Sequence, residues 1–216
     1  MSFTFIIGAL VAYLLGSIPS GLWIGQTFFQ KDIREFGSGN LGSTNAFRVL
    51  GPKAGSVVLF CDVFKGSLAT ILAMTIFKQP SISPLWIASF AVIGHTFPLF
   101  ASFKGGKAVA TFAGMILAYQ PLLLLYGLII FLVLLAITRM VSLTAMVTIT
   151  LGVLLSLLFN DWVLTAFALA IDIFIIYRHR ANIQRILNGT ENKVPMPWDK
   201  RSEERRVGKE CVSTCR

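Results

Sequence analysis

PLLLLYGLIIFLVLLAIT (residues 121–138) and VSLTAMVTITLGVLLSLLF (141–159) stand apart only by Arg139 and Met140, and together they decide the fold. Neither stretch holds an Asp, Glu, Lys, Arg or His. A helix that crosses a bilayer needs roughly 20 mostly apolar residues, with a range of about 17 to 25. Two such helices joined by two residues form an antiparallel hairpin. Read as spans, the pair covers 122–138 and 141–159. Five further runs read the same way, at 4–26, 54–77, 85–102, 107–119 and 162–178. The fourth, 107–119, is short, and Pro121 separates it from the fifth. The first is not a signal peptide: no basic residue precedes it, and Gly16, Pro19 and Gly21 interrupt it. The expectation is an all-α polytopic membrane protein of seven transmembrane helices.

Composition agrees. Of 216 residues 55% are hydrophobic and 13% charged, with a mean hydropathy of +0.74. A soluble domain carries about 25% charged residues. This chain has too few polar side chains to cover a globule of its size. A disordered chain, a nucleic-acid-binding domain and an ordinary cytosolic enzyme are thereby excluded. No period of 20 to 50 residues repeats. Cys61 lies in an apolar run and reads as a small packing residue, and the three cysteines form no disulfide framework.

Orientation follows from the basic residues, which gather on the cytoplasmic side of membrane proteins. With seven spans, one side holds only Lys78. The other holds Lys31, Arg34, Arg48, Lys53, Lys104, Lys107, Arg139, Arg178, Arg180, Arg185 and Lys193. The N-terminus is therefore expected outside and the C-terminus in the cytoplasm.

Three clusters share the basic side. The first loop reads FGSGNLGSTNAFRVLG, residues 36–51. Its glycines, Gly37, Gly39 and Gly42, allow backbone N–H groups to turn inward as an anion-binding nest. Ser38, Asn40 and Asn45 add short polar groups, and Arg48 adds a fork suited to phosphate. The plainer alternative is a flexible, turn-rich loop. The second cluster, GHTFPLFASFKGGKAVAT (94–111), sets Lys104, Gly105, Gly106 and Lys107 before the fourth helix. Bare N–H groups at a helix N-terminus beside two lysines make a phosphate site, although the spacing is not that of a Walker A loop. The alternative is that both lysines anchor helix ends at lipid headgroups. The third cluster, YRHRANIQRILNGTE (177–191), places His179, Asn182 and Arg185 at i, i+3, i+6, on one helix face. Alone it is a positive anchor after a last helix. Each cluster is an even number of spans from the next, so all three fall on one side. Only a strongly anionic ligand makes use of Arg48, Lys104, Lys107 and Arg185 together, and the membrane setting adds an apolar partner such as an acyl chain.

Asp62 and Lys65 lie three apart in the second span and are expected to pair as a structural ion pair facing the bundle interior. His95 is either an interior histidine or part of the site. Asp172 has no evident role. The glycines of the first helix read as sites of close helix approach or a kink.

GSGNLGSTNAFR, GHTFPLFASFKGGKA and RHRANIQRILNGTE together resemble the three motifs of the bacterial acyl-phosphate:glycerol-3-phosphate acyltransferases, the PlsY family. GSIPSG (16–21) and DVFKG (62–66) resemble that family too, and the likeness runs from residue 1 to 198, read as one membrane domain. The resemblance implies transfer of a long-chain acyl group from acyl phosphate to the 1-hydroxyl of glycerol 3-phosphate. The products are lysophosphatidate and phosphate, in the first acylation of phospholipid synthesis at the bacterial inner membrane. It implies that Ser38, Arg48, His179 and Asn182 serve catalysis, that Lys104 to Lys107 bind glycerol 3-phosphate, and that Glu191 is structural. It implies no metal or cofactor, no nucleic acid and no obligate protein partner; the partners are glycerol 3-phosphate, acyl phosphate and membrane lipids. Ser43 departs from an alanine common in the family's first motif. A transporter, the competing class, would carry its motifs near the midplane, often in repeated halves. The last segment, 199–216, matches nothing in the family and reads as a disordered or non-native tail.

Overall fold

The computed structural model describes residues 2–195; the expectation for 199–216, with Cys211 and Cys215, falls outside them. Every described element but one isolated bridge is helical. In chain order the helices are α1 (Phe3–Gly16), α2 (Ser20–Phe29), α3 (Ser43–Leu50), α4 (Pro52–Met74), α5 (Pro84–Thr96), α6 (Val109–Tyr119), α7 (Pro121–Thr138), α8 (Val141–Ser156), α9 (Trp162–Arg178) and α10 (Arg180–Leu187). Short 3₁₀ turns follow α5 and α8.

Apolar surface shows why this is a membrane protein. On α7 only Leu123 is buried, while Leu132 is 56% and Ile137 72% exposed. An exposed helix with apolar residues on every side is not tenable in water. By length and apolarity, Phe3–Phe29, Pro52–Met74, Pro84–Ala101, Pro121–Thr138 and Val141–Phe159 suffice to cross a bilayer. α9 and α10 make a sixth if taken as one span bent by 60°. The expected fourth span is α6, of 11 residues, or about 16 Å of helix. Lys107 and Ala108, expected at its start, belong instead to an irregular strap, 102–108.

The first span is broken. Pro19 has no N–H to donate and disfavours helix at Ile18, so α1 ends at Gly16 and α2 restarts at Ser20. The Ile18 carbonyl freed by the break accepts a hydrogen bond from Lys65 Nζ at 2.9 Å. The same ammonium sits 2.8 Å from Asp62 Oδ1, the pairing expected from their spacing. Ser20 Oγ donates to that carboxylate oxygen at 3.2 Å. Both ions are buried, and the pair ties α4 to the break.

Glycines set the closest helix contacts. A Cβ on Gly16 would strike the Ala91 backbone of α5, and one on Gly94 would strike Tyr13 and Ser17 of α1. Gly66 and Gly114 meet the opposing backbones of α6 and α4 in the same way. α6, though short, thereby docks along α4. One apolar core joins α5, α6, α8 and α9, and a second lies beneath the first loop, with Ile33, Leu41, Ala46, Leu50 and Val58 buried in it.

Candidate active site

The segment read as a glycine nest is half loop and half helix. From Ser43 the chain forms α3, whose Ala46 and Leu50, four residues apart, bury onto Ala54 and Val58 of α4. Gly51, at φ +86°, makes the turn into α4, and Pro52 opens that helix. Asn45 organises the loop before α3. It is 1% exposed. Its Oδ1 accepts from the Ser38 N–H at 2.9 Å, and its Nδ2 donates to the carbonyls of Ile33 (2.9 Å) and Phe36 (3.1 Å). The amide that sequence reading offered to a ligand is thus occupied by the backbone, and its effect is to shape the Ser38 turn. Gly37 and Gly39, at φ +63° and +68°, complete that turn, and a Cβ on Gly37 would overlap Asn45 Oδ1. Asn40 Oδ1 accepts from the Gly42 N–H at 2.9 Å. Ser38 and Arg48 are left exposed.

The second cluster corrects one expectation. The N–H groups of Gly105 and Gly106 are not bare. They donate to the carbonyls of Thr96 (3.1 Å) and His95 (3.0 Å), folding the strap back on the end of α5. These glycines are small because of what lies beneath them: a Cβ on Gly106 would enter the His95 ring, and one on Gly105 would strike the His95 carbonyl. His95 is buried under the strap with Nδ1 3.7 Å from Asp62 Oδ1, beyond a normal hydrogen bond. Arg178, at the end of α9, donates from Nη2 to the Gly106 carbonyl at 3.3 Å and lies over the Phe97 ring.

Beyond the strap Lys107 reaches the third cluster. Its Nζ donates to Asn182 Oδ1. Asn182 Nδ2 donates to Glu191 Oε1 at 2.7 Å, so both ends of the amide are fixed. Glu191 also accepts from Arg185 Nε at 2.7 Å and from Ser142 Oγ, at the start of α8, at 2.6 Å. Burial raises the Glu191 pKa; the bonds from Ser142, Asn182 and Arg185 more than offset this and hold it below the usual carboxylate value. Burial is also the largest influence on Lys107, followed by Arg185; Glu191 opposes them, and Arg178 and Arg48 add to the fall, to about 8. Arg48 and Arg185, 137 positions apart in the chain, therefore act on one ammonium. The His179 Nδ1 sits 2.8 Å from the Ile175 carbonyl. A carbonyl only accepts, so Nδ1 carries the proton and Nε2 is the acceptor of the neutral ring.

A cleft of about 550 Å³ opens between the first loop and the strap, with Arg34, Gly39, Lys104 and Arg178 in its wall. All three sequence clusters thus meet at one end of the bundle. A family model described as glycerol-3-phosphate acyltransferase matches residues 6–189. The chain belongs to the glycerol-3-phosphate acyltransferase family. It is 54% identical over 196 residues to the glycerol-3-phosphate acyltransferase of Listeria welshimeri, covering 90% of this chain and 98% of that one. It is 54% identical to that of Enterococcus faecalis, over 86% of this chain and 89% of the relative. Its fold matches a crystal structure of PlsY, an integral membrane glycerol 3-phosphate acyltransferase, in a glycerol 3-phosphate form. The TM-score is 0.83 at 35% identity, over 88% of this chain and 96% of that one. A lysophosphatidic acid form of the same protein matches with a TM-score of 0.80, over 88% and 95%.

This glycerol-3-phosphate acyltransferase is accordingly a multi-pass membrane enzyme of lipid synthesis. Its structure adds residues that sequence reading did not single out for the site. Arg178 entered only as a basic residue after a last helix, yet it fastens the strap. Ser142 carried no signal, since its partner Glu191 lies 49 positions away.

Proposed function

We propose that the chain transfers a long-chain acyl group from acyl phosphate to the 1-hydroxyl of glycerol 3-phosphate, giving lysophosphatidate and inorganic phosphate. The observation that carries this reading is the gathering of Arg48, Lys107, Arg178 and Arg185 around the hydrogen-bonded chain Lys107, Asn182, Glu191. Each phosphate brings about −1.5 to −2 at neutral pH, and the cations offset repulsion between two of them. The glycerol 3-phosphate and lysophosphatidic acid forms of the structural neighbour agree with such an acceptor and product.

In this reading Lys107, Arg185 and Asn182 hold the acceptor phosphate, and Arg48 and the Ser38 turn face the donor. The 1-hydroxyl oxygen attacks the acyl carbonyl carbon, the bond from that carbon to the bridging oxygen breaks, and phosphate leaves with that oxygen and the electron pair. The hydroxyl proton passes to the acceptor's own phosphate. What favours this over a histidine base is the fixed Nδ1 of His179: its partner is a backbone carbonyl and not a carboxylate that would strengthen the base. An acyl phosphate is already activated, so positioning and stabilisation of the developing charge supply the catalysis.

Seven crossings, with the N-terminus outside and the site on the cytoplasmic side of the bacterial inner membrane, complete the reading. The support is that α6 begins two residues after Lys107, which is bonded to Asn182, and ends at Tyr119, whose hydroxyl donates to Asp161 Oδ2 at 2.7 Å in the α8–α9 turn. α7 then returns the chain to Arg139, whose carbonyl accepts from the Val194 N–H just past the third cluster. In this reading α6, short as it is, changes sides.

Detergent-solubilised protein should release phosphate from palmitoyl phosphate only when glycerol 3-phosphate is present, and should form no lysophosphatidate from palmitoyl-CoA. Equal rates with the thioester would overturn the choice of donor. Acceptor binding should also depend on pH. A lysine with a pKa of about 8 loses its proton above that pH, and the charged fraction then falls about tenfold per unit. The KM for glycerol 3-phosphate should rise accordingly between pH 8 and 9.5. Lys107→Arg keeps its charge there and should flatten the rise; a profile the same in both proteins would remove Lys107 from acceptor binding.

A further inference from the structure

We propose that one buried water molecule, bound between Asp62 and His95 beneath the Gly105–Gly106 strap, makes His95 a positioning residue for Lys107. The inference rests on Lys107 as a ligand of the acceptor phosphate, the reading given above. The two carboxylate oxygens of Asp62 have different surroundings. Oδ1 accepts from Ser20 Oγ at 3.2 Å and faces the Lys65 ammonium at 2.8 Å. Oδ2 is buried and, among the described residues, has no hydrogen-bond partner; the same is true of His95 Nδ1. Asp62 is 2% and His95 6% exposed, so bulk solvent satisfies neither atom, and leaving either unmatched at such depth is costly. The 3.7 Å between Nδ1 and Asp62 Oδ1 is too long for a direct bond and points to a bridging molecule.

The space fits a single water. A cavity of about 10 Å³ has Ile18, Ser20, Asp62, Lys65, His95 and Gly106 in its wall. One water needs about 10–15 Å³ on that measure and about two to four polar partners. Three partners line this cavity. The water donates to Asp62 Oδ2. It pairs with His95 Nδ1 as donor or acceptor, so the bridge closes with the ring hydrogen on either nitrogen. Its oxygen accepts from Lys65 Nζ, whose other hydrogens go to the Ile18 carbonyl and Asp62 Oδ1. Volume excludes a larger ligand, and the Lys65 ammonium disfavours a cation.

The bridge matters because the strap rests on the ring it fixes. The Gly106 N–H donates to the His95 carbonyl at 3.0 Å, and a Cβ on Gly106 would overlap the ring at Nε2, Cδ2 and Cε1. The ring therefore supports the Gly106 backbone, while Arg178 Nη2 holds the Gly106 carbonyl. The next residue is Lys107, whose Nζ donates to Asn182 Oδ1. An imidazole anchored through Nδ1 does not turn about its Cβ–Cγ bond, so the strap and the lysine keep their place. His95 acts through Gly106 and touches neither substrate.

A crystal structure of the full chain, at a resolution that shows ordered water, tests the site. It should contain one water within hydrogen-bond reach of both Asp62 Oδ2 and His95 Nδ1. Initial-rate kinetics in detergent, with glycerol 3-phosphate and palmitoyl phosphate as probes, test its consequence. His95→Leu fills the space without the nitrogen. It should raise the KM for glycerol 3-phosphate about five- to tenfold, with kcat and the KM for palmitoyl phosphate within about threefold. Gly106→Ala should raise the same KM by pushing the ring aside. Adding His95→Asn to Gly106→Ala makes room for the new methyl group and keeps a polar atom where Nδ1 stood, and should return the KM to within about threefold of the parent. A dry cavity would overturn the proposal. So would a His95→Leu protein that loses apparent Tm with an unchanged KM, since His95 would then be structural only, or a double variant no better than Gly106→Ala. A parent-like KM in Lys107→Ala would sink the acceptor reading instead, and the electron density alone would then decide the water site.

Discussion

Arg48→Ala is expected to cut acyl transfer about 10²- to 10³-fold, the loss that follows removal of one preorganised donor from a developing negative charge. The protein should remain folded, because Arg48 faces away from the contacts that hold α3. Those are made by Ala46 and Leu50 against α4, and by Asn45 beneath the loop. Arg48 itself is exposed. A Cβ on Gly37 would lie 3.4 Å from its Cδ, so its stem runs beside the Ser38 turn, and its charge is felt at Lys107. One guanidinium thus belongs to a side chain beside the turn and lies within electrostatic reach of Lys107. Arg48→Lys restores charge without the planar fork and should recover only part of the rate. Turnover of Arg48→Ala within twofold of the parent, at equal yield and apparent Tm, would refute its role.

Much of this arrangement is written in the chain, and the parts that are not share a cause. The apolar runs are legible because a bilayer demands long uncharged segments, and α7 and α8 begin and end almost where Pro121, Arg139 and Asn160 punctuate the sequence. The Asp62–Lys65 pair follows from helical spacing. The grouping of three motifs on one face follows from counting spans. α3 is hidden because eight residues beginning Ser-Thr-Asn are too few to show a helical period, and they look like a continuation of the glycine loop. Asn45 reads as a free donor until Ile33 and Phe36 fold over it. Gly105 and Gly106 read as a bare helix start, since nothing nearby in sequence announces that the α5 carbonyls and the His95 ring lie beneath them. In each case the deciding partner is set by tertiary packing, which leaves no local pattern.

Glu191→Ala tests that lesson from the other side. One carboxylate at the end of the third cluster joins Ser142 of α8 to Asn182 and Arg185 of α10. Its side chain is 7% exposed, while that of Arg185 is 36% exposed. Truncation leaves two neutral partners and a partly solvated guanidinium without their acceptor, which costs about 2–4 kcal/mol after solvent screening of the arginine is allowed for. The apparent Tm of the solubilised protein should fall by several degrees. Asn182, no longer held through Nδ2, should present Lys107 less well, so the KM for glycerol 3-phosphate should rise in whatever fraction stays folded. Glu191→Gln keeps an acceptor for one neutral partner but faces Arg185 without a charge, and should lie between the two. If Glu191→Ala left both Tm and KM unchanged, the carboxylate would not be what orders α10 against α8, and the position of Asn182 would have to be set by Lys107 and helix packing alone.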